Sequence, residues 1–157
     1  MCDYCGCRES GPTAELTVEH RRLTDLGDTL HEALHDGTDP SVAFAELVRL
    51  LQMHAAKEEI GLFEQARAFQ PLAEQIEVLC REHTDLRRWL ANGPTGIRVP
   101  DALRLLTTHI EDEEYDLFPH IFHALDPEQW DEIDLAHRAI EAVWDDGGQI
   151  PPAHSGH

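Results

Sequence analysis

The sequence is poor in basic residues. Lysine and arginine together number 12 against 31 aspartates and glutamates, a formal net charge of -19. A field of that sign repels phosphate backbones and anionic lipid, which argues against a nucleic-acid partner and against a membrane-surface role. Long apolar runs are missing too: no stretch approaches the roughly 18 residues a membrane-spanning helix needs. The opening residues, Met1-Cys2-Asp3-Tyr4-Cys5, lack the basic and apolar regions of a secretory leader, so the expected location is the cytoplasm. In that compartment the 4 cysteines are expected to be reduced or metal-bound rather than paired. Strand signals are nearly absent. Histidine, by contrast, is abundant: 11 imidazoles in a small acidic chain that is 41% hydrophobic and so able to build one core. Imidazole and carboxylate in surplus point to transition-metal chemistry.

Apolar residues recur at helical spacing, most clearly at Leu72, Ile76, Leu79, His83, Leu86 and Leu90. The pattern predicts a first helix from Pro12 to Asp36, closed by Gly37. A second opens at Asp39-Pro40 and runs to about Phe69. The third runs from Pro71 to near Asn92-Gly93, and Pro100 starts the fourth, with Pro119 placed to kink its end. Asp126-Pro127 opens a fifth helix ending near Asp145. Loops this short favour antiparallel neighbours. The expected fold is all-α: an up-down-up-down four-helix bundle with an additional C-terminal helix. The expected divisions are a Cys-rich segment over 1–11, a helical domain over 12–146 and a tail over 147–157.

The chain repeats itself weakly. His54-x3-Glu58-Glu59-x2-Leu62-Phe63 matches His109-x3-Glu113-Glu114-x2-Leu117-Phe118. A shorter pair precedes each copy, Glu19-His20-x2-Leu23 and Glu82-His83-x2-Leu86. Residues i and i+4 share a helix face, about 6 Å apart along the axis. Measured from the loops, neighbouring antiparallel helices return His20, His54, Glu58, His83, His109 and Glu113 to one level. All six stand at apolar-stripe positions, where unpaired polar groups would cost several kcal/mol. Metal satisfies them together. This composition yields about one His-x3-Glu match by chance, and His137-x3-Glu141 is read as that chance match.

The donor set narrows the metal. Six side chains exceed what one tetrahedral zinc takes and suit two ions sharing two bridging glutamates. The Glu-x-x-His spacing of ferritin-like di-iron bundles occurs only at Glu32-x-x-His35, away from this layer. Glu59 and Glu114 read as solvated carboxylates that could also orient a neighbouring ligand. His31, His35, His120, His123 and His137 read as surface or partner-facing residues. Cys80 beside the third-helix stripe reads as a small packing residue.

Across residues 12 to 125, the set His20, His54-x3-Glu58, His83 and His109-x3-Glu113 resembles the hemerythrin-like, or HHE cation-binding, family. The resemblance implies a non-haem di-iron centre with an oxo or hydroxo bridge, its irons held by His20, His54, Glu58, His83, His109 and Glu113. Oxygen-carrying hemerythrins have a further histidine on the third helix, four residues after the first. Arg87 stands there in this sequence, and the last motif carries a glutamate where those proteins have an aspartate. Six side chains and a bridge leave positions open on two octahedral irons. The implied ligands are dioxygen, peroxide or nitric oxide, with slow peroxide breakdown as an accompanying activity.

Cys2-x2-Cys5-x-Cys7 forms a second candidate site, suited to zinc but one donor short of a tetrahedral set. Cys80, His154 or His157 could complete it. A reduced segment without a specific role and a redox-active thiol cluster are the other readings. Two alternatives to the gas- or peroxide-binding function remain open at the level of sequence. One is an iron donor or repair factor for iron-sulfur clusters. The other is a zinc- or manganese-stabilised interaction module without redox chemistry.

Overall fold

The computed structural model describes residues 11–147, and every regular element among them is helical. Helix α1 spans Gly11–Asp36. Helix α2, Ser41–Ala56, continues without a break through a π-helical turn, π1 (Lys57–Leu62), into a last α turn, Phe63–Ala66. Helix α3 is Gln70–Leu90. Helix α4, Val99–Asp112, likewise continues through a second π turn, π2 (Glu113–Leu117), into Phe118–Ala124. Helix α5 covers Pro127–Asp145. No helix among the described residues is long and apolar enough to cross a membrane.

The boundaries follow from local chemistry. Gly37 takes φ +73° after α1, a left-handed conformation that ends a helix cheaply only in glycine. Asp39 accepts hydrogen bonds from the Ser41 amide at 3.0 Å and the Ser41 hydroxyl at 2.6 Å at the start of α2. Asp126 and Gln129 form a reciprocal capping box before α5, with Pro127 in the first turn. Pro119 falls just after π2, and the helix carries on past it to Ala124. The two π turns were not expected, because 3.6-residue periodicity gives no warning of an added residue. They fall at the same place in the two copies of the sequence repeat.

The core divides in two. One cluster contains Leu23, Leu30, Leu47, Leu51, Leu86, Leu90 and Leu106. The other contains Leu16, Leu62, Phe63, Ile76, Leu79, Leu117, Phe118 and Ile133. Burying each large side chain contributes about 1.5–3 kcal/mol. Along each of the first four helical segments, the residues between the two clusters are polar: His20, His54 with Glu58, His83, and His109 with Glu113. A buried polar layer thus lies between two apolar blocks. Helix α5 packs on π1, α1 and α2 and covers one side of that layer.

Candidate metal centre

Six side chains converge in the layer, and all are buried: His20, His54, Glu58, His83, His109 and Glu113. They form two groups whose donor atoms lie within 4.8 Å of one another, His20, His54, Glu58 and Glu113 in one and Glu58, His83 and His109 in the other. Nε2 of His20 lies 3.1 Å from Nε2 of His54, and Nε2 of His83 lies 3.0 Å from Nε2 of His109. Glu58 stands between the pairs. Its Oε1 is 2.6 Å from His54 Nε2, and its Oε2 is 3.0 Å from His83 Nε2. Glu113 also spans them, with Oε1 2.9 Å from His109 Nε2 and 3.4 Å from His20 Nε2.

These spacings fit metal ions. Two nitrogens bound at about 2.1 Å and at right angles around one ion lie about 3.0 Å apart. Yet all four carboxylate oxygens of Glu58 and Glu113 are buried without a hydrogen bond. A buried carboxylate left that way costs several kcal/mol unless a cation meets it. The residues present therefore suit a cation pair bridged by Glu58.

Each histidine is fixed from behind by a carboxylate at its Nδ1. Glu114 lies 2.7 Å from His20, Glu19 2.9 Å from His54, Glu59 3.1 Å from His83 and Glu82 2.9 Å from His109. The arrangement is two-fold in the sense of the repeat. The Glu preceding one helix's histidine holds the histidine of the next helix, and the second Glu of each Glu-Glu pair holds the histidine across the layer. A carboxylate at Nδ1 puts the proton there and leaves Nε2 as a lone-pair donor. Phe118 stacks on His20 at 5.8 Å and Phe63 on His83 at 6.0 Å, giving both rings an apolar backing.

The reading of Glu59 and Glu114 as solvated is corrected here: both are buried. The π turns account for this. A straight α-helix rotates successive residues by about 100°, so one member of an adjacent pair would face outward. The wider π turn brings both members of Glu58-Glu59 and of Glu113-Glu114 inside.

Electrostatics follow from crowding. Burial alone would push the imidazole pKa of His20, His54 and His109 down. The surrounding carboxylates outweigh it and hold all three up, His20 and His109 well above the usual range. Burial would likewise raise Glu58, but His54, His109 and His20 keep it well below the ordinary carboxylate range.

The two halves differ in one respect. Lys57, 1% exposed, reaches Glu19 at 2.6 Å and Glu141 of α5 at 2.7 Å. Its repeat counterpart is Asp112, which is exposed; partial burial and then the charge of Glu82 raise its pKa. Sequence reasoning did not single out Lys57 or Glu141, because their meeting depends on where α5 packs.

His137 is also corrected. It is fully buried in α5, with Nδ1 3.2 Å from Glu15 and its ring against Gly61, where a Cβ would sit 3.1 Å from Cδ2. It takes no part in the six-residue layer. His31, His35, His120 and His123 are exposed, as expected. Cys80 is a buried free thiol in the second apolar cluster, and burial, with Glu59 next, pushes its pKa up to about 12. Cys2, Cys5, Cys7, His154 and His157 lie outside the described residues.

The hemerythrin HHE cation binding domain matches residues 11–121, which include all six converging side chains. The chain belongs to that family, whose name states cation binding. No curated protein and no solved structure matches it.

Proposed function

We propose that this chain is a non-haem di-iron protein of hemerythrin type that binds or senses dioxygen, peroxide or nitric oxide. The observation that carries the reading is the set of four orphaned oxygens on Glu58 and Glu113 facing four Nε2 atoms at right-angle spacing. Six donors are too many for one tetrahedral ion and too few to close two octahedral ones. His20 and His54 would hold one iron, His83 and His109 the other, with Glu58 and Glu113 shared. We propose also that the first four helical segments run up-down-up-down, which returns the repeat's two halves to one level.

Iron, when bound, would supply the electrons and the open positions that a small oxidant or gas requires. The chain does the rest. Glu19, Glu59, Glu82 and Glu114 hold the imidazole rings in the donor tautomer, and Phe63 and Phe118 keep water from two of them. No nucleophile beside a base is apparent among the described residues, so slow peroxide breakdown is the only catalysis proposed. Metal analysis with an optical spectrum tests the reading. A ferric pair joined by an oxygen bridge absorbs in the near ultraviolet and responds to azide. Protein that takes up zinc in preference to iron, with no such band, would overturn it in favour of a structural site.

A further inference from the structure

Between α2 and α3 lies a cavity of about 240 Å³ whose wall includes Val48, Leu51, Gln52, Ala55, His83 and Arg87. It opens at the surface, and His83 in its wall is one of the converging histidines. Its lining is mostly aliphatic, with one amide and one guanidinium. Arg87 is half-buried one helical turn from His83, donates to Thr84 Oγ1 at 3.2 Å and forms no ion pair among the described residues. The symmetry-related groove between α1 and α4 has no such cation at the matching place. There the counterpart of Arg87 is Thr24; the same surface carries Arg21 and Arg104 beside Asp25, Asp28 and Glu114, and Arg104 is paired with Asp101. In a chain of net charge -19, the α2–α3 cavity thus presents a guanidinium with no ion pair among the described residues next to a converging histidine.

We propose that the α2–α3 cavity is a binding site for a small carboxylate. Its anionic end would rest on Arg87 and the Gln52 amide, and its short apolar body on Val48, Leu51 and Ala55. A guanidinium presents two parallel N–H donors that match a carboxylate, and partial burial strengthens such a contact. A cavity of this size takes an acid of a few carbons. Bound there, the anion lies beside His83 and reaches the side of the layer where Arg87 replaces a histidine. This inference goes beyond the di-iron reading and uses it only for the position of the site.

Calorimetric titration of formate and acetate into the metal-loaded full chain tests it, with metal content measured on the same sample. Arg87→Gln should weaken binding about tenfold, the worth of one charge-assisted contact, and Arg87→Lys should recover part of it. Val48→Phe should abolish binding by filling the half-buried mouth, while Leu103→Phe at the matching place in the other groove should not. Equal affinity in Arg87→Gln and the parent, or no heat with either acid, would overturn the proposal. A protein that binds formate through Arg87 but holds no iron would refute the di-iron reading and leave this site standing. A protein that holds iron and binds neither acid would do the reverse.

Discussion

Lys57 places its ammonium 2.6 Å from one oxygen of Glu19, whose other oxygen lies 2.9 Å from Nδ1 of His54. A buried cation thus stands behind His54 of the layer. The charge is anchored from the far side by Glu141, which Arg138 in turn holds at 2.8 Å. Helix α5 is therefore electrostatically joined to the site. Lys57→Met should remove the cation that Glu19 and Glu141 share and cost about 2–4 kcal/mol of stability. Asp112→Asn, at the matching exposed place, should stay within about 0.5 kcal/mol of the parent. Urea unfolding of both variants checks this; equal losses would show that the two halves are not distinguished by α5.

The carboxylates behind the histidines should matter for metal affinity, not only for folding. Glu59→Ala and Glu114→Ala should each weaken metal binding about 10- to 100-fold, because the ring they orient is freed to rotate or change tautomer. Glu64→Ala, on the exposed face of the same helical segment, should have no effect. Competition with a chromophoric chelator measures all three.

Much of this site is legible in the sequence, and the reason is the repeat. The spacing His-x3-Glu and the loop positions suffice to bring the six residues to one level. The same repeat also marks Glu19 with Glu82, and Glu59 with Glu114, as polar residues kept at equivalent places in both halves. That signal identifies the residues behind the histidines, but α-helical geometry turns Glu59 and Glu114 outward, and only the π turns bring them in. Lys57 and His137 were hidden for another reason. Each owes its burial to the packing of α5 on π1, a contact between distant segments that no local pattern encodes. The five helices were legible because proline, glycine and aspartate punctuate them.

Metal and fold should be linked. The metal-free layer holds two buried carboxylates without hydrogen bonds, and anything that binds the native state alone stabilises it. At a free metal concentration 100 times the dissociation constant, one site contributes about 2.7 kcal/mol. For a chain of this size that raises the melting temperature by roughly 5–10 °C. Scanning calorimetry of apo and loaded protein at one pH gives the comparison, and coincident melting curves would show that the layer gains nothing from a cation.

His137 should make stability fall in acid. Burial lowers its pKa, with the Lys57 charge assisting and Glu15 opposing. The folded state thus binds the proton less readily than the unfolded chain, whose histidine titrates near 6.5. The contribution is present above that value and is lost as pH falls through the folded pKa. Measured on metal-free protein, the stability difference between the parent and His137→Gln should therefore shrink from pH 7 to pH 5. A difference that stays constant or grows would mean that His137 is charged in the folded state.

The central claim is that Glu58 and Glu113 join two metal ions held by four histidines. Iron content per chain, measured on protein produced in iron-replete medium, tests it most directly. We expect about two irons in the parent, substantial loss in Glu58→Ala and in Glu113→Ala, and next to none in the double variant, while His137→Gln keeps the full amount. A double variant that retains all its iron would contradict the assignment.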